Sequence, residues 1–106
     1  MPKYLFQASY IGEGLKGLLT EGGSKRREKV EQTVKGKGGT LEAFYYAFGE
    51  DDVFAIVDLP DNVSTAAFAL TVNASGAARV KTTVLLTPEE VDQATKKSID
   101  YRPPGQ

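Results

Sequence analysis

Phe44-Tyr45-Tyr46-Ala47-Phe48-Gly49-Glu50-Asp51-Asp52-Val53-Phe54-Ala55-Ile56-Val57 joins an aromatic run to an apolar run through one glycine and three consecutive carboxylates. Aromatic and β-branched side chains favour strands, whereas adjacent carboxylates repel one another and seek water. The stretch therefore predicts two antiparallel strands around an acidic turn, a second strand over about 40–48 and a third over about 53–59. Pro60 closes the third, because it has no amide to donate to a ladder.

Upstream, Tyr4, Phe6, Ala8 and Tyr10 recur at every second position and predict a first strand, ended by Gly12, Gly14 and Gly17. Leu15, Leu18 and Leu19 lie at helical spacing in a short segment. Gly22-Gly23 then precedes a longer helix, with Ser24 the expected cap and Val30 and Val34 turned inward. Gly36, Gly38 and Gly39 stop it. Downstream, Asp61 is the expected cap of another helix whose inward stripe reads Val63, Ala66, Ala67, Leu70 and Ala74, and Gly76 ends it. A fourth strand follows over 79–86. Thr87-Pro88-Glu89-Glu90 has capping-box spacing with proline at the first helical position, predicting a terminal helix to about Lys97 and an extended tail from Asp100.

The order is β-α-β-β-α-β plus a terminal helix. Right-handed crossovers put the two main helices on one face of a four-stranded antiparallel sheet, the ferredoxin-like α+β arrangement. One domain covers 1–106, with a core over about 2–90 and a C-terminal helix and tail over 88–106. The uncovered face of such a sheet is ordinarily polar. Here Leu41, Ala43, Tyr45 and Ala47 alternate with Phe44, Tyr46 and Phe48, and both Val53, Ala55, Val57 and Phe54, Ile56 are apolar, so both faces carry apolar groups. A second copy packed sheet to sheet is the expected cover, and the protein is expected to be a homodimer. The alternative is a monomer whose terminal helix, with only Val91, Ala94 and Ile99 apolar, folds over that face.

Composition narrows the chemistry. Thirteen basic and fourteen acidic residues in 106 give a net charge of −1 and no whole-molecule field for nucleic acid or anionic lipid. The absence of cysteine removes disulfides and thiolate metal sites, and the absence of histidine removes the commonest general base. No metal and no cofactor are expected, nor a membrane span, and the expected location is the cytoplasm.

The strand ending at Tyr10, Gly14, the Ser24-Lys25-Arg26 helix start, Gly38-Gly39 and Phe44-Tyr45-Tyr46-Ala47-Phe48-Gly49-Glu50-x-Asp52-Val53 together resemble the GYD domain family, over nearly the whole chain. The resemblance implies a dimeric α+β barrel of ferredoxin-like fold and no particular activity. Asp51 stands where the family's turn tyrosine would be.

The residues offer several candidate sites. Glu50, Asp51 and Asp52 carry oxygen ligands, but consecutive positions lack the alternate spacing of a calcium loop, so a solvated acidic turn is expected. Lys25, Arg26 and Arg27 fall in a first helical turn, where cations oppose the helix dipole; Arg26 is a candidate anion ligand, and a solvated face is the plainer reading. Gly12-x-Gly14-x-x-Gly17 lacks the parallel β-α-β context of a dinucleotide fingerprint. Tyr4, Phe6, Tyr10, Tyr45 and Tyr46 compose either a small-molecule cavity with phenolic tips or an ordinary aromatic core. Three functions follow. One is a homodimer that binds or senses a small molecule. The second is a cofactor-independent isomerase- or monooxygenase-like enzyme, with Asp52 and Tyr10 as its acid and base. The third, an RNA-binding module, lacks the basic-aromatic signature that its third strand would need.

Overall fold

Eight elements run in the order β1 (Lys3–Tyr10), α1 (Glu13–Glu21), α2 (Gly23–Gly36), β2 (Thr40–Tyr46), β3 (Val53–Asp58), α3 (Asn62–Ala74), β4 (Ala78–Leu85) and α4 (Pro88–Thr95) in a computed structural model that describes residues 1–106. The strands form one antiparallel sheet in the order β2-β3-β1-β4, with α2 packed over β2 and α3 over β4. This is the ferredoxin-like α+β arrangement. Its core is Tyr4, Phe6, Val34, Leu41, Ala55, Val57 and Leu59, with Val30, Phe44, Phe68 and Val80 packed against it.

The β2 alternation differs from the sequence pattern. Leu41 pairs with Val57 and Ala43 with Ile56, so Glu42 is an extra residue in the strand. A bulge of this kind reverses side-chain parity beyond it. Leu41, Phe44 and Tyr46 consequently share the helix-covered face, while Ala43 and Tyr45 share the open face. The bulge also aims Glu42 at Lys3, whose Nζ lies 2.8 Å from Glu42 Oε2 and 2.9 Å from Asp58 Oδ1. β2 ends at Tyr46, and Phe48 stands fully exposed beyond it.

Two helix expectations are corrected. Gly22, at φ 89°, precedes α2, and no side chain caps that helix; Ser24 lies inside it. The stripe expected to face inward on α3 faces out instead, with Val63 and Leu70 exposed and Thr65 and Phe68 turned to the sheet. Residues 62–77 contain no charge, so apolarity alone does not mark the inner side of α3. Its rotation is set by the stack of Phe68 on Phe6, centroids 5.2 Å apart, and by the bond from the Tyr4 hydroxyl to Asn62 Oδ1 at 2.6 Å. The caps at Asp61 and Thr87 stand as expected: the Ser64 amide donates to Asp61 Oδ1 at 2.8 Å, and Thr87 and Glu90 form the reciprocal box.

The strand register places Leu5, Phe54, Ile56, Ala43, Tyr45 and Leu85 on the open face. Polar groups flank this band at both ends: Lys3, Glu42 and Asp58 at the start of β1, and Gln7, Ser9, Arg79 and Lys81 toward its end. The terminal helix does not cover the band, since every residue from Pro88 to Gln106 is exposed. The radius of gyration, 16.9 Å, exceeds the roughly 13 Å of a compact chain of this size.

Candidate functional site

Tyr10 ends β1 and Tyr46 ends β2, both on the helix-covered face and at the same end of the sheet. Above them α1 and α2 meet at Gly22-Gly23. A Cβ on Gly23 would stand 3.0 Å from the Tyr46 ring, so the glycine lets α2 begin against the phenol, and the Tyr46 hydroxyl donates to the Gly23 carbonyl at 2.9 Å. Phe44 meets the Tyr46 ring edge-on at 5.3 Å. Arg26, in the first turn of α2, and Glu21, at the end of α1, complete the cluster.

Its electrostatics have identifiable causes. Burial pushes the Tyr10 phenol up to about 12, with Tyr46, Glu21 and Asp52 adding to the shift and the Arg26 guanidinium opposing it. Burial also raises Tyr46. Both phenols therefore stay protonated near neutrality, and because Tyr46 spends its proton on the Gly23 carbonyl, Tyr10 is the phenol left to donate to a ligand. The Lys29 ammonium, 2.7 Å from Glu21 Oε1, holds the Glu21 carboxyl below its ordinary value. Arg26 differs from Lys29 in having no close partner. The nearest carboxylate oxygen, Glu21 Oε2, is 3.8 Å from its Nη1, and its side chain makes no hydrogen bond within the chain. Glu21 also borders an open crevice of about 610 Å³ between α1 and α2, where Lys16, Lys25 and Lys29 outnumber Glu13 and Glu21.

The sequence candidates divide among three places. Tyr10, Tyr46 and Arg26 come together. Tyr4 is 1% exposed and hydrogen-bonded inside the core, and Phe6 stacks beside it, so both are packing groups at the floor of the fold. Tyr45 is 70% exposed on the opposite face. Asp52 lies at the rim of the cluster with its Oδ2 accepting from the Tyr10 amide at 2.9 Å, which fastens the β2–β3 turn to the end of β1. Glu21 was not among the candidates; its position before the Gly22-Gly23 break was the one available sign that it ends a helix above the sheet.

The three turn acids point in different directions, and no cluster of three potential metal ligands forms. Asp51 is not solvated as expected. It is 8% exposed on the open face, with the Lys81 Nζ at 3.1 Å, the Ser9 hydroxyl at 3.1 Å and the Gln7 amide at 3.2 Å. The bond from Lys81 is the main cause of a pKa below the ordinary aspartate value, with Ser9 adding to it. A lowered folded pKa contributes stability at pH above the unfolded value, and that contribution is lost as pH falls through the folded one. Asp51→Asn should therefore lower the melting temperature at pH 7 and flatten its fall on acidification, while Glu50→Gln leaves both unchanged. Thermal melts between pH 2.5 and 7 check this, and equal effects at the two positions would contradict it.

A helix-covered antiparallel sheet with a phenol and guanidinium cluster at one end defines a small α+β domain with one candidate recognition site. The chain matches the GYD domain family over residues 4–95 and belongs to it. Comparison with curated proteins and with solved structures returns no match. No helix is long and apolar enough to cross a membrane.

Proposed function

We propose that the protein is a homodimer that binds a small carboxylate-bearing molecule at the Tyr10, Tyr46 and Arg26 cluster. The observation that carries this reading is the unspent donor set of Arg26. A half-buried guanidinium with no hydrogen bond is held beside two protonated phenols. Guanidinium donors match carboxylate oxygens in a bidentate fork, while the Tyr10 phenol supplies a neutral donor and the Tyr10 and Tyr46 rings an apolar wall for the rest of the ligand. The adjoining lysine crevice favours the approach of an anion.

Binding is favoured over turnover by two features. A phenol whose pKa is about 12 is a poor base at neutral pH. Asp52 Oδ2 already accepts from the Tyr10 amide at 2.9 Å, which ties that carboxylate to the backbone. Isothermal titration with benzoate, salicylate and succinate should detect a ligand. Arg26→Gln should weaken it about 10–100-fold, the span of a charged hydrogen bond of about 1.5–3 kcal/mol. No binding by any of the three, or binding indifferent to Arg26→Gln, would remove the reading; catalysed loss of a bound ligand that disappears in Asp52→Asn would favour the enzyme.

The dimer rests on the apolar band of the open face, which is too continuous for a surface left to water. Light scattering on dilution through the micromolar range should give about twice the monomer mass. A single-chain mass at every concentration would exclude the assembly.

A further inference from the structure

The α4 arm is formed but covers nothing. Thr87 and Glu90 cap it reciprocally, yet every residue from Pro88 onward is exposed, Val91, Ile99 and Tyr101 included. An eight-residue helix does not hold in water on caps and propensity, so a surface it packs against must supply its stability. Its first turn is acidic, Glu89 and Glu90 followed by Asp92. A second surface has the opposite charge. At the start of β4, Arg79 and Lys81 stand exposed beside a groove of about 470 Å³ that Ile11 and Val80 also line; Lys81 is spent on Asp51 at 3.1 Å, and Arg79 has no ion-pair partner.

Two-fold symmetry connects these surfaces. Sheets packed face to face have their axis in the plane between them, either along the strands or across them. An axis along the strands would set the exit of β4, with Glu89 and Glu90, over the start of the partner's β2, where Glu42 and Asp58 outnumber Lys3. Acid would then meet acid. An axis across the strands lays β4 antiparallel over the partner's β4, bringing the exit of each arm to the other copy's Arg79 and Lys81. We infer that α4 of one copy docks on the start of β4 of the second copy, with Glu89 against the partner's Arg79. Area supports the same arrangement. Four strands spaced about 4.8 Å apart, rising about 3.3 Å per residue, present a face of roughly 20 by 25 Å. That is small beside the roughly 800 Å² per partner of a standard interface, and the arm extends it.

This inference rests on the homodimer proposed above, and the test separates the two. The chain has no cysteine, so full-length Arg79→Cys and Glu89→Cys variants can be mixed and mildly oxidised. The mixture should give a disulfide-linked dimer, while each variant alone stays unlinked. In sedimentation equilibrium, Glu89→Lys should weaken the dimer about tenfold. Adding Arg79→Glu should restore it, because the charges are then exchanged and not removed, and neither change touches the α4 cap or the Lys81 to Asp51 pair. An unmodified protein that is monomeric throughout would overturn the dimer itself. A dimer that neither cross-links in the mixture nor responds to charge reversal, or one in which Glu89→Cys cross-links to itself, would overturn the arm's place and leave the dimer intact.

Discussion

Tyr4→Ala should unfold this domain more readily than truncation of any other tyrosine, costing about 3–5 kcal/mol by the scale of buried aromatic-to-alanine changes. Tyr4 is the largest side chain of the fully buried set, and its ring lies in the layer formed by Phe6, Leu41, Ala55 and Val57. Its hydroxyl is the one tyrosine hydroxyl bonded to a side chain of α3, donating to Asn62 Oδ1 at 2.6 Å. Removing the ring opens a cavity between β1 and α3 and leaves the Asn62 acceptor unpaired. Tyr4→Phe keeps the ring and should cost only about 0.5–1.5 kcal/mol. Urea titrations of the two variants measure the difference. If the alanine variant lost no more than the phenylalanine one, the Tyr4 ring would not be filling the core as described.

The contrast among the tyrosines shows what the sequence made legible. Their alternation on β1 placed Tyr4, Phe6 and Tyr10 on one face correctly, because β1 is an uninterrupted strand. On β2 the same period-two reading kept Leu41 in phase with Tyr45, and the Glu42 bulge broke that phase. A bulge leaves no mark in a hydrophobic pattern when residues on both sides of the strand are apolar. The inward side of α3 was unreadable for a related reason: a helix without charges has no polar face by which to orient it, and only the Phe6 to Phe68 stack and the Tyr4 to Asn62 bond decide its rotation. Caps were legible at Asp61 and Thr87, where a side chain forms the cap, and not at Gly22, where the backbone does it alone. For the site, Arg26 was visible as a cation out of place in a first helical turn, and Tyr10 and Tyr46 as aromatic strand ends. Asp51 looked solvated because a run of acids ordinarily is; the Lys81, Ser9 and Gln7 side chains that gather around it come from two other strands.

Gly39→Ala should be strongly damaging although it adds a single methyl group. A Cβ at Gly39 would lie 2.3 Å from the Asp58 carbonyl oxygen, 2.8 Å from the Leu59 side chain and 3.1 Å from that of Val34. The first contact is with backbone and cannot be relieved by a rotamer, so the α2–β2 connection must lift from the end of β3. Overpacking of this kind costs about 1–3 kcal/mol and sometimes more. Gly36→Ala is the internal control, since nothing lies within 4 Å of its added methyl and the residue belongs to α2. That change should be neutral or stabilising by up to about 1 kcal/mol. The consequence reaches the candidate site, because Gly39 sits against Val34, the fully buried anchor of α2, and α2 carries Arg26 at its other end. Lifting the anchored end tilts the helix and moves the guanidinium relative to Tyr10 and Tyr46. Gly39→Ala should therefore weaken carboxylate binding although it removes no group that touches the ligand, and Gly36→Ala should not. Denaturant titration and calorimetry on both variants measure the two effects, and a Gly39→Ala protein as stable as the unmodified chain would refute the close approach of α2, β2 and β3 on which the position of Arg26 depends.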